Sequence, residues 1–160
     1  MNKRLHESGT YGVHGFRSAP LVQEIAEQLG ITEVLDFGCG NGSLGEKLRE
    51  QGYTVYDYDP AIEGKDGPAT PTELVYCGDV AEHVEPEYLD NFLDELVRVT
   101  KKALIIVIAT SPANKTLEDG RNAHLIVEPT SWWLPKLEAR FDIELFKDVE
   151  NYFIFVGWAK

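Results

Sequence analysis

Apolar positions change period several times along the chain, and each change marks an element. Leu21, Val22, Ile25, Ala26 and Leu29 recur at the spacing of one helix face. Ser18 stands before them as a capping residue, Pro20 suits the first turn, and Gly30 supplies the stop. Residues 33–37 then read as a strand running directly into glycines. Residues 44–51 form the next helix, ended by Gly52, and residues 53–58 a second strand that ends at Asp59-Pro60. Gly64, Gly67, Pro68 and Pro71 exclude a helix over 61–72. Residues 74–77 give a short strand. A helix starting near Pro86 carries Leu89, Phe92, Leu93, Leu96 and Val97 on one face. Residues 103–109, apolar throughout, suit a strand covered on both faces in a parallel sheet. After a long loop over 110–129, Thr130 or Ser131 caps a helix holding Trp132, Trp133, Leu137 and Phe141. Residues 143–146 and 152–158 read as an antiparallel hairpin around Glu150-Asn151.

This alternation predicts an α/β class fold: one Rossmann-like domain over residues 1–160, with a doubly wound, mostly parallel sheet and a C-terminal antiparallel hairpin. Residues 1–17 form an N-terminal arm, whose Tyr11, His14 and Phe16 are a lid over a ligand or a loose terminus. Only residues 61–73 separate the second strand from the third. That is too little for a crossover helix and a further strand, so the sheet is expected to be trimmed by both and to end at its second strand.

Charge narrows the partners. The chain carries 15 basic against 27 acidic residues, a net charge of −12, which disfavours binding to duplex nucleic acid. No apolar run is long enough for a membrane span, and the polar N-terminus lacks a secretory signal, so a cytoplasmic protein is expected. Cys39 and Cys77 are expected as free thiols. The oligomeric state stays open: the exposed second strand offers an edge for pairing across a dimer, while Asp57 and Asp59 near that edge equally discourage it.

The chemistry starts at Gly38-Cys39-Gly40-Asn41-Gly42, between a strand and a helix. Glycines there permit a tight turn and let a ligand lie against bare backbone, and amides at the helix start supply donors. Asp59, at the end of the next strand, is placed to accept the hydroxyls of a nucleoside ribose. The glycine spacing is wrong for a nicotinamide cofactor, and no hydride-transfer constellation accompanies it. Residues 34–44 resemble motif I, and residues 55–60 motif II, of the class I S-adenosylmethionine-dependent methyltransferases. The resemblance runs over nearly the whole chain from Tyr11 on. It implies an S-adenosylmethionine site made from Asp36, Gly38, Cys39, Gly40, Asn41, Gly42, Leu44, Asp59, Pro60 and Asp79, with Asp36 ordering the turn and Asp59 holding the ribose. Asp57 departs from the family, which often has glycine there; with the register shifted by two, Asp57 is the ribose partner instead. The segment that usually contacts adenine is missing or replaced.

A second constellation follows the third strand. At helical spacing, Asp79, Glu82 and His83 share one face. Two carboxylates and an imidazole suit a divalent cation. The segment resembles the corresponding signature of ubiquinone-biosynthesis O-methyltransferases and small-RNA 2′-O-methyltransferases. That likeness adds His124, from the loop after the next strand, and implies Asp79, Glu82, His83 and His124 as ligands of Mg²⁺ or Mn²⁺. It implies methyl transfer to an oxygen of a small metabolite or nucleotide terminus, with His83 or His124 taking a proton. Lining of the cofactor pocket without metal, or a structural role, are the alternatives for this segment. One of Trp132 and Trp133 is expected to pack inward and the other to line a substrate mouth, while Arg121 and Asn122 serve either a polar substrate group or a turn. The rival to an enzyme is a catalytically silent S-adenosylmethionine-binding module that contacts a partner protein.

Overall fold

A computed structural model describes residues 15–160; Tyr11 and His14 of the expected lid lie outside the described residues, as does the Phe16 side chain. The first helix, α1, spans Ala19–Leu29 with Pro20 in its first turn. Gly30 behind it is left-handed at φ 65°, and the amides of Gly30 and Ile31 close on the carbonyls of Glu27 and Ala26. Ser18 does not cap the helix with its side chain. Its Oγ instead accepts a hydrogen bond from the Tyr76 hydroxyl at 2.6 Å, which ties the start of α1 to the sheet.

The remaining elements are β1 (Glu33–Phe37), α2 (Ser43–Glu50), β2 (Thr54–Tyr58), β3 (Thr72–Gly78), α3 (Leu89–Val99), β4 (Thr100–Ala109), α4 (Thr130–Glu138), β5 (Phe141–Val149) and β6 (Tyr152–Ala159). Among the described residues, six strands form one sheet in the order β2-β1-β3-β4-β6-β5. β1 runs parallel to β2 and β3, and β3 parallel to β4, while β6 inserts antiparallel between β4 and β5. Residues 59–71 hold neither helix nor strand, so β2 is an edge, as the short spacing requires.

Side chains alternate across the sheet and bury two apolar layers. Ala103 and Ile105 of β4 join Val34, Val55 and Leu74 under Val22 and Ala26 of α1 and Leu44 and Leu48 of α2. Leu104, Ile106 and Ile108 face the other way, with Leu93 and Leu96 of α3, Trp133 and Leu137 of α4, and Phe153 and Phe155 of β6. Each fully buried large side chain stabilises the fold by ~1.5–3 kcal/mol relative to exposure.

Two expectations about these layers need correction. Phe141 is not on α4 but opens β5, paired with Ala159. Pro135 inside α4 lacks an amide hydrogen, and the helix closes when the amides of Ala139 and Arg140 bond to the carbonyls of Pro135 and Leu137. Val97 is exposed, and the buried stripe of α3 is Leu89, Leu93, Leu96 and Val99. Among the described residues no helix is long and apolar enough to cross a membrane.

Candidate active site

The C-terminal ends of the parallel strands bring four segments together: the glycines after β1, residues 59–71 after β2, residues 79–83 after β3, and the loop after β4. Ligands bind at this end of open α/β sheets. Gly38, Gly40 and Gly42 all have positive φ, at 85°, 54° and 85°, a backbone path that other residues adopt at a cost. The amides of Gly38 and Cys39 both bond to the carbonyl of Tyr58, at 2.7 and 3.0 Å, pinning the turn to β2. A Cβ on Gly38 would overlap the Val80 side chain. Asn41 accepts the Ser43 amide on its Oδ1 at 3.1 Å and so helps start α2. Leu44 is buried in the core, and the Cys39 thiol is buried and pushed up to about 12 by burial and by nearby Asp36.

Three carboxylates surround the turn in three different states. Asp36 is buried on β1, and its pKa is raised to about 8, first by burial and then by Asp57, its neighbour in register on β2. Asp59 has no exposed surface. Its Oδ2 accepts the Gly40 amide at 3.0 Å and its Oδ1 the Ala61 amide at 2.9 Å. It therefore ties residues 59–61 to the turn. Asp57 is partly exposed, within 3.3 Å of Arg49 and 3.7 Å of Lys65. Lys65 also donates to the Gly40 carbonyl at 3.3 Å, and its Nζ lies 2.9 Å from where a Cβ on Gly42 would sit. Pro60 is exposed beside these residues.

The segment after β3 is not the expected α-helix. Asp79 is left-handed at φ 55°, and Ala81–His83 make one 3-10 turn. That turn still gathers part of the anticipated cluster. Among the described residues, Glu82, His83 and His124 place one ligand atom each within 4.8 Å of one another. Asp79 is outside this trio and exposed. The imidazoles of His83 and His124 stand edge to face, their centroids 4.8 Å apart. Nδ1 of His83 lies 2.8 Å from the Ala123 carbonyl and Nδ1 of His124 2.6 Å from that of Ser111. A carbonyl only accepts, so both Nδ1 atoms carry hydrogen in the neutral rings, and both Nε2 atoms are the basic nitrogens. Glu82 is fully buried: Oε1 accepts the Ala109 amide at 3.1 Å, and Oε2 has no hydrogen-bond partner. Burial, then the charge of Asp79, holds its carboxyl well above the usual range.

The loop after β4 interlocks with this turn. The Ile126 amide bonds to the Glu82 carbonyl at 3.0 Å, beside the His83–Ala123 contact. Arg121 is held by Glu85, at 2.9 Å through two nitrogens, and by Asp119, so it ties the loop to the segment after β3. Trp133 is fully buried, and Trp132 lies beneath Lys136, whose Nζ is 4.3 Å from the ring centroid. Arg49 and Lys65, which frame Asp57, have no motif to announce them. The readable signal was Asp57 itself, two residues before Asp59 in the same strand end.

The sequence profile of the Methyltransferase domain family matches residues 15–142. No protein of curated function matches the chain by sequence. Solved structures share the fold. A 1,6-didemethyltoxoflavin-N1-methyltransferase from Burkholderia thailandensis, with bound 1,6-didemethyltoxoflavin and S-adenosylhomocysteine, superposes with a TM-score of 0.67 at 16% identity, over 96% of this chain and 81% of that one. Magnesium protoporphyrin IX methyltransferase from Synechocystis PCC 6803, with bound S-adenosylhomocysteine, gives 0.66 at 18% identity over 92% and 84%. The PH0226 protein of Pyrococcus horikoshii OT3 gives 0.64 at 15% identity over 90% of each chain. By its family profile, its trimmed six-stranded sheet and its Gly-rich turn, the chain belongs to the Methyltransferase domain family, as a class I S-adenosylmethionine-dependent methyltransferase.

Proposed function

We propose that this methyltransferase acts on an oxygen of a small metabolite or a nucleotide terminus, with a divalent cation at Glu82, His83 and His124. The observation that carries the reading is the juxtaposition of two sites through Val80. This side chain packs against Gly38 of the turn and stands two residues before Glu82. The bound ligands of the two structural relatives, S-adenosylhomocysteine in both and 1,6-didemethyltoxoflavin in one, support the adenosyl cofactor and a small-molecule acceptor.

S-adenosylmethionine supplies an electrophilic methyl on a sulfonium, so an aligned nucleophile is the main requirement. Gly38, Gly40 and Gly42 offer it bare backbone, and Asp36 keeps the turn in place. The ribose role fits Asp57 better than Asp59. Both Asp59 oxygens already hold backbone amides, whereas Asp57 is partly exposed and is held by ion pairs, its buried Oδ1 3.3 Å from Arg49 and its Oδ2 3.7 Å from Lys65. Binding then requires Lys65 to share Asp57 with the ribose hydroxyls.

The trio fits a cation. Glu82 holds a buried oxygen without a partner, and two histidines orient Nε2 as the basic nitrogen through Nδ1 contacts to carbonyls, the usual support of metal-bound imidazole. Two nitrogens and one carboxylate suit Mn²⁺ better than Mg²⁺, which prefers oxygen ligands. Such an ion would lower the pKa of an acceptor hydroxyl. Asp79, beside Glu82, adds negative charge to the site. A histidine that coordinates through Nε2 does not also accept a proton there, so the proton-accepting role of His83 and His124 belongs to a cation-free site.

Calorimetric titration with S-adenosylhomocysteine, followed by turnover of hydroxylated acceptors with Mn²⁺ or chelator, tests this. Wild type should bind, Asp57→Ala should bind about 10- to 100-fold more weakly for the lost charged hydrogen bonds, and activity should fail in chelator and return with Mn²⁺. Absent binding would overturn the cofactor site; full turnover in chelator would remove the cation; tight binding without turnover of any acceptor would favour the silent module.

A further inference from the structure

The loop after β4 must deliver His124 to a fixed point, yet loops of this length ordinarily vary in conformation. Its own hydrogen bonds show what holds it. Thr116 and Asn122 form an isolated antiparallel bridge, the Ala123 amide bonds to the Lys115 carbonyl at 2.9 Å, and Gly120 at φ 88° makes the tip. Inside this small hairpin the Asn122 side chain bonds three backbone groups. Oδ1 accepts from the amides of Ala113 and His124, both at 2.9 Å, and Nδ2 donates to the Ala113 carbonyl at 2.8 Å. Asn122 thereby clamps residues 111–113 against residues 122–124, the same two stretches joined by the 2.6 Å contact from His124 Nδ1 to the Ser111 carbonyl.

We propose that Asn122 is a positioning residue for His124: its carboxamide sets the loop so that His124 keeps hydrogen on Nδ1 and turns Nε2 toward Glu82 and His83. The chemistry singles out asparagine. Only a side chain with a carbonyl and an NH₂ at one end accepts from two amides and donates to a carbonyl together. Alanine removes all three bonds. Aspartate keeps the two acceptor bonds and loses the donated one. The link to catalysis rests on the cation reading above; the link to His124 does not.

The test therefore has two readouts on wild type, Asn122→Ala, Asn122→Asp and His124→Ala. Long-range ¹H–¹⁵N correlation of the metal-free protein reports the His124 tautomer. Mn²⁺ titration followed by the paramagnetic resonance of free Mn²⁺ reports affinity, and S-adenosylhomocysteine binding, expected unchanged in Asn122→Ala, shows that the domain is intact. In Asn122→Ala the Nδ1–H tautomer should give way to a mixture, and Mn²⁺ affinity should fall by about 10- to 100-fold, the usual effect of removing support behind a ligand. Asn122→Asp should lie between, which keeps the comparison usable if the alanine variant does not fold. A wild-type tautomer pattern in both variants would overturn the proposal. If wild type itself binds no Mn²⁺, the cation reading fails, and the tautomer comparison alone decides the role of Asn122.

Discussion

Replacing Gly38 with alanine probes the joint between the Gly-rich turn and the segment after β3. Two costs follow from the structure. Gly38 has φ 85°, where a residue with a Cβ costs ~1–2 kcal/mol. The new methyl would also overlap Val80 Cγ2 and come within 3.2 Å of Cγ1. Val80 is 5% exposed, so it has little room to yield, and overpacking of this kind costs ~1–3 kcal/mol. The sum, ~2–5 kcal/mol, is a large part of the ~5–15 kcal/mol that usually holds a domain folded. Urea unfolding of Gly38→Ala, Val80→Ala and the double variant separates the two costs. In the Val80→Ala background the overlap disappears, and Gly38→Ala should cost only the backbone part, ~1–2 kcal/mol. S-adenosylhomocysteine affinity should fall in Gly38→Ala and recover partly in the double variant, because removing the Val80 methyls leaves room for the new methyl and the turn keeps its path. An equal cost of Gly38→Ala in both backgrounds would refute the packing argument. A cost below ~0.5 kcal/mol, the range of neutral surface changes, would refute both parts.

Further outcomes separate the roles of the acidic residues and the core. Asp59→Ala should destabilise the fold by about 2–4 kcal/mol through the two amides it strands, whereas Asp57→Ala should weaken S-adenosylhomocysteine binding with little change in the urea midpoint; equal effects of the two would undo the division of roles. The Asp36 pKa is raised in the fold from 3.8 to about 8, so the folded state binds its proton more tightly than the unfolded chain. Its contribution is complete below about pH 4 and is lost as pH rises toward 8, so Asp36→Asn should flatten the fall in melting temperature between pH 5 and 8; the same slope in both proteins would contradict this. Trp133→Ala should cost about 3–5 kcal/mol of stability, measured by urea unfolding, because the fully buried indole fills the layer between α4 and the sheet.

The hydrophobic pattern by itself determined the order of elements and the trimmed edge at β2. Both follow from local spacing: period in the helices and strands, glycine and proline in residues 61–72, and a connection too short to hold a further helix and strand. The Gly-rich turn was legible for the same reason, since three glycines between a strand and a helix state a backbone requirement directly. Assignments that depended on neighbours distant in sequence came out otherwise. Phe141 sits at helical spacing from Leu137, yet pairing with Ala159 draws it into β5. Ser18 has the chemistry of a cap, yet the Tyr76 hydroxyl claims its oxygen from 58 residues away. Asp57 and Asp59 differ by two positions on one strand and look alike in the sequence. Only the packed turn distinguishes them, by giving Asp59 the amides of Gly40 and Ala61 and leaving Asp57 beside Arg49 and Lys65. Glu82, His83 and His124 were each visible as residue types, but the helix expected to align the first two is a 3-10 turn. Their convergence was decided by contacts between that turn and a loop some forty residues later, through Ala123 and Ile126, and by the bond from His124 to Ser111 within the loop. Local sequence fixes what a backbone segment prefers to be; which oxygen or nitrogen remains for a ligand depends on which groups the folded chain has already bonded.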